Sequence, residues 1–184
     1  MKRFLHCLVI FLVATHFSLK LVSAEDAMVK KMVDDNTAFT LDLYTKLKSR
    51  EGNLFFSPFS ISTALAMTYA GARENTAKQM AGVLHFPEEQ DQLHHAMGDL
   101  ISDLNDIRKQ GDIELRVANA LWAQKDYKFL KEFSRVILNS YKAELKHVDF
   151  AIAHETARQA INAWVEQQTN QKIKDMIQPG ILDA

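Results

Sequence analysis

Two serines, Ser57 and Ser60, are the side chains of this sequence whose type and spacing first suggest chemistry. A serine hydroxyl acts as a nucleophile when a general base lies within hydrogen-bonding reach of it. The sequence contains no G-x-S-x-G motif, and no histidine or carboxylate is spaced so as to place a base beside either serine. Ser57 precedes Pro58 and an apolar run, which predicts a helix N-cap, and we expect neither serine to be a nucleophile.

The histidines and carboxylates further along the chain predict neither a metal site nor an acid–base pair. His94 and His95 are adjacent, so they point to different sides of a helix, and we expect both to be solvated surface residues. Glu88, Glu89 and Asp91 are expected to form a solvated acidic turn. The sequence also lacks phosphate-binding, dinucleotide-binding and zinc-protease motifs. It therefore predicts a protein that is not an enzyme and holds no metal or cofactor.

The charge of the chain argues against polyanionic partners. Its 184 residues carry 22 basic and 23 acidic side chains, and the formal net charge is −1. The first 24 residues hold three of the basic side chains and no acidic one, so the remainder has a net charge of −4. We therefore expect no binding to nucleic acid or to an anionic membrane surface.

Residues 1–24 have the features of a secretory signal peptide. Two basic residues precede an apolar stretch, residues 4–13, that is too short to span a bilayer, and small residues stand before a cleavage site at Glu25. An uncleaved membrane anchor is the alternative, but polar residues interrupt the apolar stretch: His16, Ser18 and Lys20. The sequence therefore predicts a secreted, extracellular domain that comprises residues 25–184.

The two serines lie in a predicted strand–helix–helix unit. Residues 54–56 form an apolar run short enough for a buried strand, and residues 59–70 form a helix that is apolar nearly all round. A helix of this kind is expected to be buried on every side. Thr76, with Gln79 three residues further on, predicts a capping box that opens a second helix.

The remaining pattern predicts four further helical segments and two strands. Apolar residues recur at three- and four-residue steps in the helical segments, which are 27–49, 88–109, 131–141 and 154–177. The polar residues 34–36 could divide the first segment into two helices. Alternating apolar residues predict strands over residues 113–122 and 143–150, and the second of these is expected to be an edge strand.

Several motifs in this sequence resemble those of the serpin family. Residues 53–86 match two of them without a gap: an N-L-x-x-S-P-x-S-I run that enters the central buried helix, and a G-A-x-x-x-T-x-x-Q-M run that enters the next helix. The V-A-N-A-L-W segment at 117–122 and the segment from Ile161 to Ile173 are also similar to serpin motifs. The resemblance covers residues 27–184 and corresponds to the first half of the serpin fold.

From this resemblance we expect an α+β fold. It would be the helix-rich N-terminal portion of a serpin, with strands of the central sheet and without the C-terminal half. In serpins the helix that corresponds to residues 154–177 lies across the face of that sheet. Ile161, Asn162 and Trp164 are therefore expected to pack where the helix crosses the sheet.

The resemblance also implies a function, that of a secreted serine protease inhibitor. In serpins a protease attacks the exposed reactive loop as a substrate, and the cleaved loop inserts as a new strand into the large sheet. Residues that match Ser57, Pro58 and Ser60 lie in the shutter region, where that sheet parts, so they are expected to hold it closed until insertion. A target serine protease is the expected partner of the complete protein.

One alternative function shares the same motifs. A non-inhibitory serpin that acts as a carrier, a storage protein or a chaperone would differ in the hinge before the reactive loop, which this sequence does not contain. The reactive loop and its scissile residue are not found among the 184 residues either. We therefore expect this chain to be an incomplete product, in which no residue can be named as the inhibitory site.

The resemblance raises the question of glycosaminoglycan binding. Many inhibitory serpins bind heparin through basic residues on and near the helix after Pro87. Here that segment carries six acidic side chains and only Arg108 and Lys109 at its end. Because repulsion should exceed attraction, we do not expect a glycosaminoglycan to bind this face.

Overall fold

The computed structural model of this protein describes residues 24–107 and 117–182. Within these ranges it contains six helices and two strands, which in chain order are α1 (Ala24–Leu47), α2 (Pro58–Tyr69), α3 (Glu74–Leu84), α4 (Gln90–Ile107), β1 (Ala120–Gln124), α5 (Lys131–Asn139), β2 (Glu144–Val148) and α6 (His154–Gln168). The predicted α+β class is confirmed. The predicted signal peptide up to residue 23, and the predicted strand residues 113–116, lie outside the described residues. No helix in the described stretches is both long and apolar enough to cross a bilayer.

α1 is one continuous helix, so of the two alternatives for this segment the structure has the single helix without a division at residues 34–36. The carboxylates that could have capped a second helix instead form ion pairs one turn back along the same helix. Asp34 pairs with Lys30, and Asp35 pairs with Lys31. Opposite charges four residues apart stabilise a helix, so these residues extend α1 where the sequence pattern suggested a break.

The predicted strand at residues 54–56 is also wrong. These residues form no regular secondary structure, and the side chain of Phe55 is 98% exposed. A strand needs a neighbour that pairs with its backbone hydrogen-bonding groups. Among the described residues the strands that pair are β1 and β2, and they pair with each other, so residues 54–56 have no neighbour there.

α2 packs against three other helices, α1, α3 and α4. Its side toward α1, α3 and α4 is buried and contributes Ala66, Met67 and Tyr69 to the core. Its opposite side is open, and Ala64 and Leu65 are exposed. The predicted burial on every side is therefore wrong for the described residues, because no described element covers this second face.

α3 begins two residues before the predicted cap, so the prediction that Thr76 caps this helix is wrong. The residue before the helix is Arg73, whose backbone is extended and whose side chain makes no capping hydrogen bond. Its guanidinium donates instead to the carbonyl oxygens of Ala70 and Ala72, at 2.9 and 2.7 Å. These bonds fix the turn between α2 and α3, so the helix starts earlier than the spacing of the capping box predicts.

α4 and α5 complete the core. α4 packs against α1 and α2 through Leu93, Met97 and Ile101, which belong to the predicted apolar stripe. α5 contributes Ile137, and Tyr141 lies two residues beyond the end of the helix. These side chains are among the most fully buried of the described residues, so the three-to-four-residue spacing of the sequence identified the core faces of both helices.

β1 and β2 form a parallel two-stranded sheet, with Ala120 opposite Glu144. Parallel neighbours need a crossover connection, and α5 supplies it here. The predicted strand at 143–150 is confirmed as β2. Of the other predicted strand, residues 113–122, β1 contains Ala120 to Trp122, whereas residues 117–119 form no regular structure.

α6 ends at Gln168, and its predicted continuation to residue 177 is wrong. Asn170 and Gln171 both have positive φ angles, of 49° and 61°, which end the right-handed helix and turn the chain back. The chain from the end of α6 to Ile177, which we call the returning segment, is then tied to α6, since the side chain of Asn162 forms hydrogen bonds with the backbone of Ile177. Local spacing could not reveal this reversal, because the contact joins residues fifteen positions apart.

Candidate functional site

An apolar cleft of about 1150 Å³ lies between the helical layer and the sheet. One wall is built from α1, α2 and α4, and the other from residues 117–122, α6 and the segment that follows α6. The principal apolar side chains that line it are Phe59, Met67, Met97, Leu100, Trp122 and Ile161. The open face of α2 is therefore one wall of this cleft, which we call the central cleft.

Ser57 and Ser60 lie together at the edge of the central cleft. Their hydroxyl oxygens are 2.9 Å apart, and the backbone N–H of Ser60 donates to the hydroxyl oxygen of Ser57 at 3.3 Å. The second bond is an N-cap of α2, so the predicted cap at Ser57 is confirmed, with Pro58 as the first helical residue. In the part of the chain that the structure describes, the hydrogen bonds of the two hydroxyls join them to each other and to the backbone of Ser60.

Two asparagines place unpaired polar atoms in the wall of the central cleft. The buried Oδ1 atom of Asn36 and the buried Nδ2 atom of Asn119 have no hydrogen-bond partner among the described residues. The backbone carbonyl of Asn119 is used, since it accepts from the N–H of Glu144 at 3.1 Å. The two unpaired atoms are an acceptor at Asn36 and a donor at Asn119, so each could form one further hydrogen bond.

Trp164 joins α6 to the sheet. Its ring meets that of Trp122 edge to face, with centroids 6.2 Å apart, and its Nε1–H donates to the Glu144 carboxylate at 3.1 Å. The ammonium of Lys146 lies 2.6 Å from the same carboxylate, and both contacts hold the pKa of Glu144 below its usual value. One side chain of α6 thus contacts both strands at once.

The three residues predicted to pack at the helix–sheet crossing have different surroundings. Ile161 is buried beside the central cleft, and Trp164 contacts Trp122 and Glu144 of the two strands. Asn162 is also buried but faces the returning segment, where its Nδ2 donates to the carbonyl of Ile177 and its Oδ1 accepts from the N–H of Ile177, both at 2.9 Å. Arg158 adds a further hydrogen bond to the same carbonyl at 2.8 Å.

The carboxylate of Glu155 orients Arg158 for that contact. It accepts hydrogen bonds from Nε and Nη2 of Arg158, at 2.8 and 2.7 Å. These bonds, together with one from Gln159, lower the pKa of Glu155 to about 2. α6 and the segment up to Ile177 are therefore held as one unit by a polar cluster that the spacing of these residues did not predict.

The prediction for His94 is wrong, whereas that for His95 agrees with the structure. His95 is exposed, but the side chain of His94 is only 3% exposed, and its Nδ1 lies 2.6 Å from the hydroxyl oxygen of Tyr141. The spacing of His94 to Met97 and Ile101 could have revealed this, because three- and four-residue steps place it on the buried stripe of α4. Glu88, Glu89 and Asp91 are exposed, as predicted.

The described residues contain no group of three or more side chains of the histidine, cysteine, aspartate or glutamate type that could hold a metal ion. His85 contacts Asp42 at 2.8 Å, which links α3 to α1. The described residues offer instead the largely apolar surface of the central cleft.

The two predicted caps give a direct test of the structure at α2 and α3. Ser57→Ala is expected to lower the free energy of unfolding by about 1 kcal/mol, because it removes the N-cap of α2. Thr76→Ala is expected to change it by less than about 0.5 kcal/mol, since Thr76 lies inside α3 and alanine favours helix. Urea unfolding followed by circular dichroism measures both, and a larger loss for Thr76→Ala than for Ser57→Ala would contradict the assignment.

Comparison with known proteins matches residues 34–184 to the family described as Serpin (serine protease inhibitor). The leukocyte elastase inhibitor of Bos taurus is 44% identical over 151 residues, which cover 81% of this chain and 39% of that protein. Ovalbumin from emu (Dromaius novaehollandiae) has a similar structure, with a TM-score of 0.73 and 34% identity over 81% of this chain and 42% of that one. Reactive loop cleaved human thyroxine-binding globulin gives a TM-score of 0.73 and 34% identity, over 82% and 45% of the two chains. The chain therefore spans about two-fifths of the length of these relatives.

Proposed function

The chain belongs to the serpin family, and from that premise we propose that residues 25–184 provide the N-terminal part of a secreted serpin that inhibits a serine protease. The similarity to an elastase inhibitor at 44% identity supports inhibition as the activity. Because the match covers 39% of that relative, the protease-contacting loop would come from the part of a serpin that these 184 residues do not match.

The observation that carries this proposal is the central cleft. It lies between the helical layer and β1, it is lined mainly by apolar side chains, and Asn36 and Asn119 place unpaired polar atoms in its wall. A strand of polypeptide added beside the sheet would cover the apolar wall and supply backbone N–H and C=O groups for the two asparagines. The cleft thus has the chemistry expected of a sheet built to accept further strands.

Ser57, Pro58 and Ser60 are proposed to control that acceptance as the shutter region. The two hydroxyls bond to each other at the edge of the cleft, so each can exchange its partner for an arriving backbone group without leaving a polar atom unpaired. Pro58 fixes the first turn of α2 and so the direction in which both hydroxyls point. In this proposal the serines take part in opening the sheet and have no catalytic role.

A second candidate function is that of a non-inhibitory carrier. The support for it is the similarity to human thyroxine-binding globulin, together with an apolar cleft large enough for a small apolar molecule. A carrier would bind such a ligand and would be cleaved by a protease without trapping it. Storage and chaperone roles are further versions of this non-inhibitory alternative.

Incubation with serine proteases separates the two functions. A longer product that includes the rest of the serpin fold is expected to form a complex with its target protease that survives boiling in detergent. The 184-residue chain is expected to form none, because no part of it is assigned to the reactive loop. Protease whose catalytic serine has been blocked chemically is the control, and cleavage of the longer product by every active protease without any stable complex would favour the carrier.

A further inference from the structure

We propose that the buried contact between His94 and Tyr141 is an acid-sensitive latch that holds α4 against the start of β2. The contact lies away from the central cleft, and it does not depend on whether the protein inhibits a protease. Its basis is a titratable side chain in the core, together with a close approach of two backbones next to it.

The latch joins three elements of the helical layer. His94 comes from α4 and Tyr141 from the residues that follow α5, and their rings meet edge to face with centroids 5.6 Å apart. The ring of Tyr69 on α2 lies 6.4 Å from the imidazole on another side. The Nε2 atom of His94 is buried and has no hydrogen-bond partner among the described residues. The imidazole is thus enclosed by aromatic rings, with one polar contact.

A glycine one turn further along α4 brings the same two segments together. A Cβ atom at Gly98 would lie 3.2 Å from the carbonyl oxygen of Ser140 and 3.3 Å from its Cα atom. Both of these are backbone atoms, so any larger side chain would push the segments apart. α4 and the residues before β2 therefore approach each other as closely as their backbones permit, and His94 and Tyr141 form their contact beside this point.

A displacement of Tyr141 would affect the sheet, because Tyr141 lies just before β2 in the chain. Tyr141 is followed by Lys142, whose φ angle is +49°, and by Ala143, whose N–H donates to the carbonyl of Ile137 at 3.2 Å. Glu144, the first residue of β2, then donates to the carbonyl of Asn119 at 3.1 Å. Because only Lys142 and Ala143 separate Tyr141 from β2, displacement of Tyr141 would loosen the start of that strand.

Protonation of His94 would destabilise the closed latch, because it places a positive charge in a buried site. In the neutral pair one nitrogen of His94 accepts a hydrogen bond from the phenol or donates one to it. The imidazolium must donate from both nitrogens, and its Nε2–H would point into a buried site without an acceptor. Of the charged groups that act on His94, Asp91 favours protonation, whereas Arg73 and His95 oppose it. Burial outweighs them and lowers the pKa of His94 to about 4, while burial raises the pKa of Tyr141 and keeps the phenol protonated.

The sign of the effect follows from these values. An opened latch returns His94 to its ordinary pKa of about 6.5, so the open form binds the proton more readily than the closed form. Opening is therefore favoured increasingly as pH falls from about 6.5 toward about 4, and the latch is closed above that range. Asp149 and Glu155 have pKa values of about 2, so these carboxylates stay ionised throughout.

Hydrogen exchange of the full 184-residue chain, at low micromolar concentration, tests the latch. After correction for intrinsic exchange, the opening constants of peptides from α4 and β2 are expected to rise about tenfold or more between about pH 7.5 and pH 5. Peptides from α6 are expected to change by less than about threefold, because carboxylates that remain ionised tie this helix to the returning segment. Equal changes in α4, β2 and α6 would overturn the proposal, and so would no change in any of them.

A matched pair of variants assigns the effect to one histidine. His94→Asn keeps an acceptor near the Nδ1 position but cannot be protonated, and it is expected to reduce the pH-dependent change to less than about threefold. His95→Gln alters the exposed neighbour and is expected to keep the full change. If His94→Asn does not fold, nuclear magnetic resonance titration of the native chain decides, since a pKa of His94 at or above about 6 would overturn the latch.

Discussion

Replacing Ile137 with alanine is expected to lower the free energy of unfolding by about 2–5 kcal/mol. The side chain of Ile137 is 0% exposed and belongs to the main core cluster. Alanine would remove its buried apolar contacts and leave a cavity between α5 and the helical layer. Since α5 also connects β1 to β2, the loss would weaken the attachment of the sheet to the helices.

The adjacent residue provides the control for this experiment. Leu138 lies on the same helix but is 50% exposed, so Leu138→Ala is expected to change the free energy of unfolding by no more than about 0.5 kcal/mol. Urea unfolding followed by circular dichroism gives the midpoint for each variant. Equal shifts of the midpoint for the two variants would show that α5 does not bury Ile137 against the core.

Replacing Asn162 with alanine is expected to increase the rate of trypsin cleavage after Lys172 and Lys174 by about tenfold to a hundredfold. Both lysines are exposed, and they lie in the segment that Asn162 ties to α6. The substitution removes two hydrogen bonds, each worth about 0.5–1.5 kcal/mol, and leaves the N–H of Ile177 without its partner. Cleavage follows the population of the locally opened state, so this loss should appear directly in the rate.

Gln167→Ala is the matched control for that variant. Gln167 is exposed on the same helix, and the substitution is expected to change the cleavage rate by less than about twofold. Global stability should be measured in parallel, because unfolding of the whole chain would also expose the two lysines. A cleavage rate for Asn162→Ala that equals the rate for Gln167→Ala would mean that the returning segment is held by other contacts.

Local patterns predicted most of the helical layer. The steps between Leu93, Met97 and Ile101 placed the buried face of α4, and Ser57-Pro58 placed the first turn of α2. These signals succeed because a helix repeats every 3.6 residues and because its first N–H groups need acceptors, both of which are local requirements. The resemblance to serpin motifs added a prediction of the family, and the family is confirmed.

Predictions from local sequence patterns were wrong where a residue's partner is distant in sequence. Thr76 and Gln79 have the spacing of a capping box, but the contacts of Arg73 start α3 earlier. His94 was expected to be a solvated residue because its neighbour is another histidine, yet its partner is Tyr141, 47 positions away. Such contacts follow from the way helices pack, which the spacing within one segment does not contain.

By itself the sequence determined the family, the class of fold and the faces that α4 and α5 bury, because periodicity, capping residues and family motifs are all properties of contiguous chain. Only the tertiary structure decided that one face of α2 borders the central cleft, that Asn162 holds the returning segment, and that His94 lies in the core. Each of these depends on which elements meet across long separations in the chain. The burial and the hydrogen-bond partners of side chains at such contacts depend on how the helices and strands pack, so they become visible only in the tertiary structure.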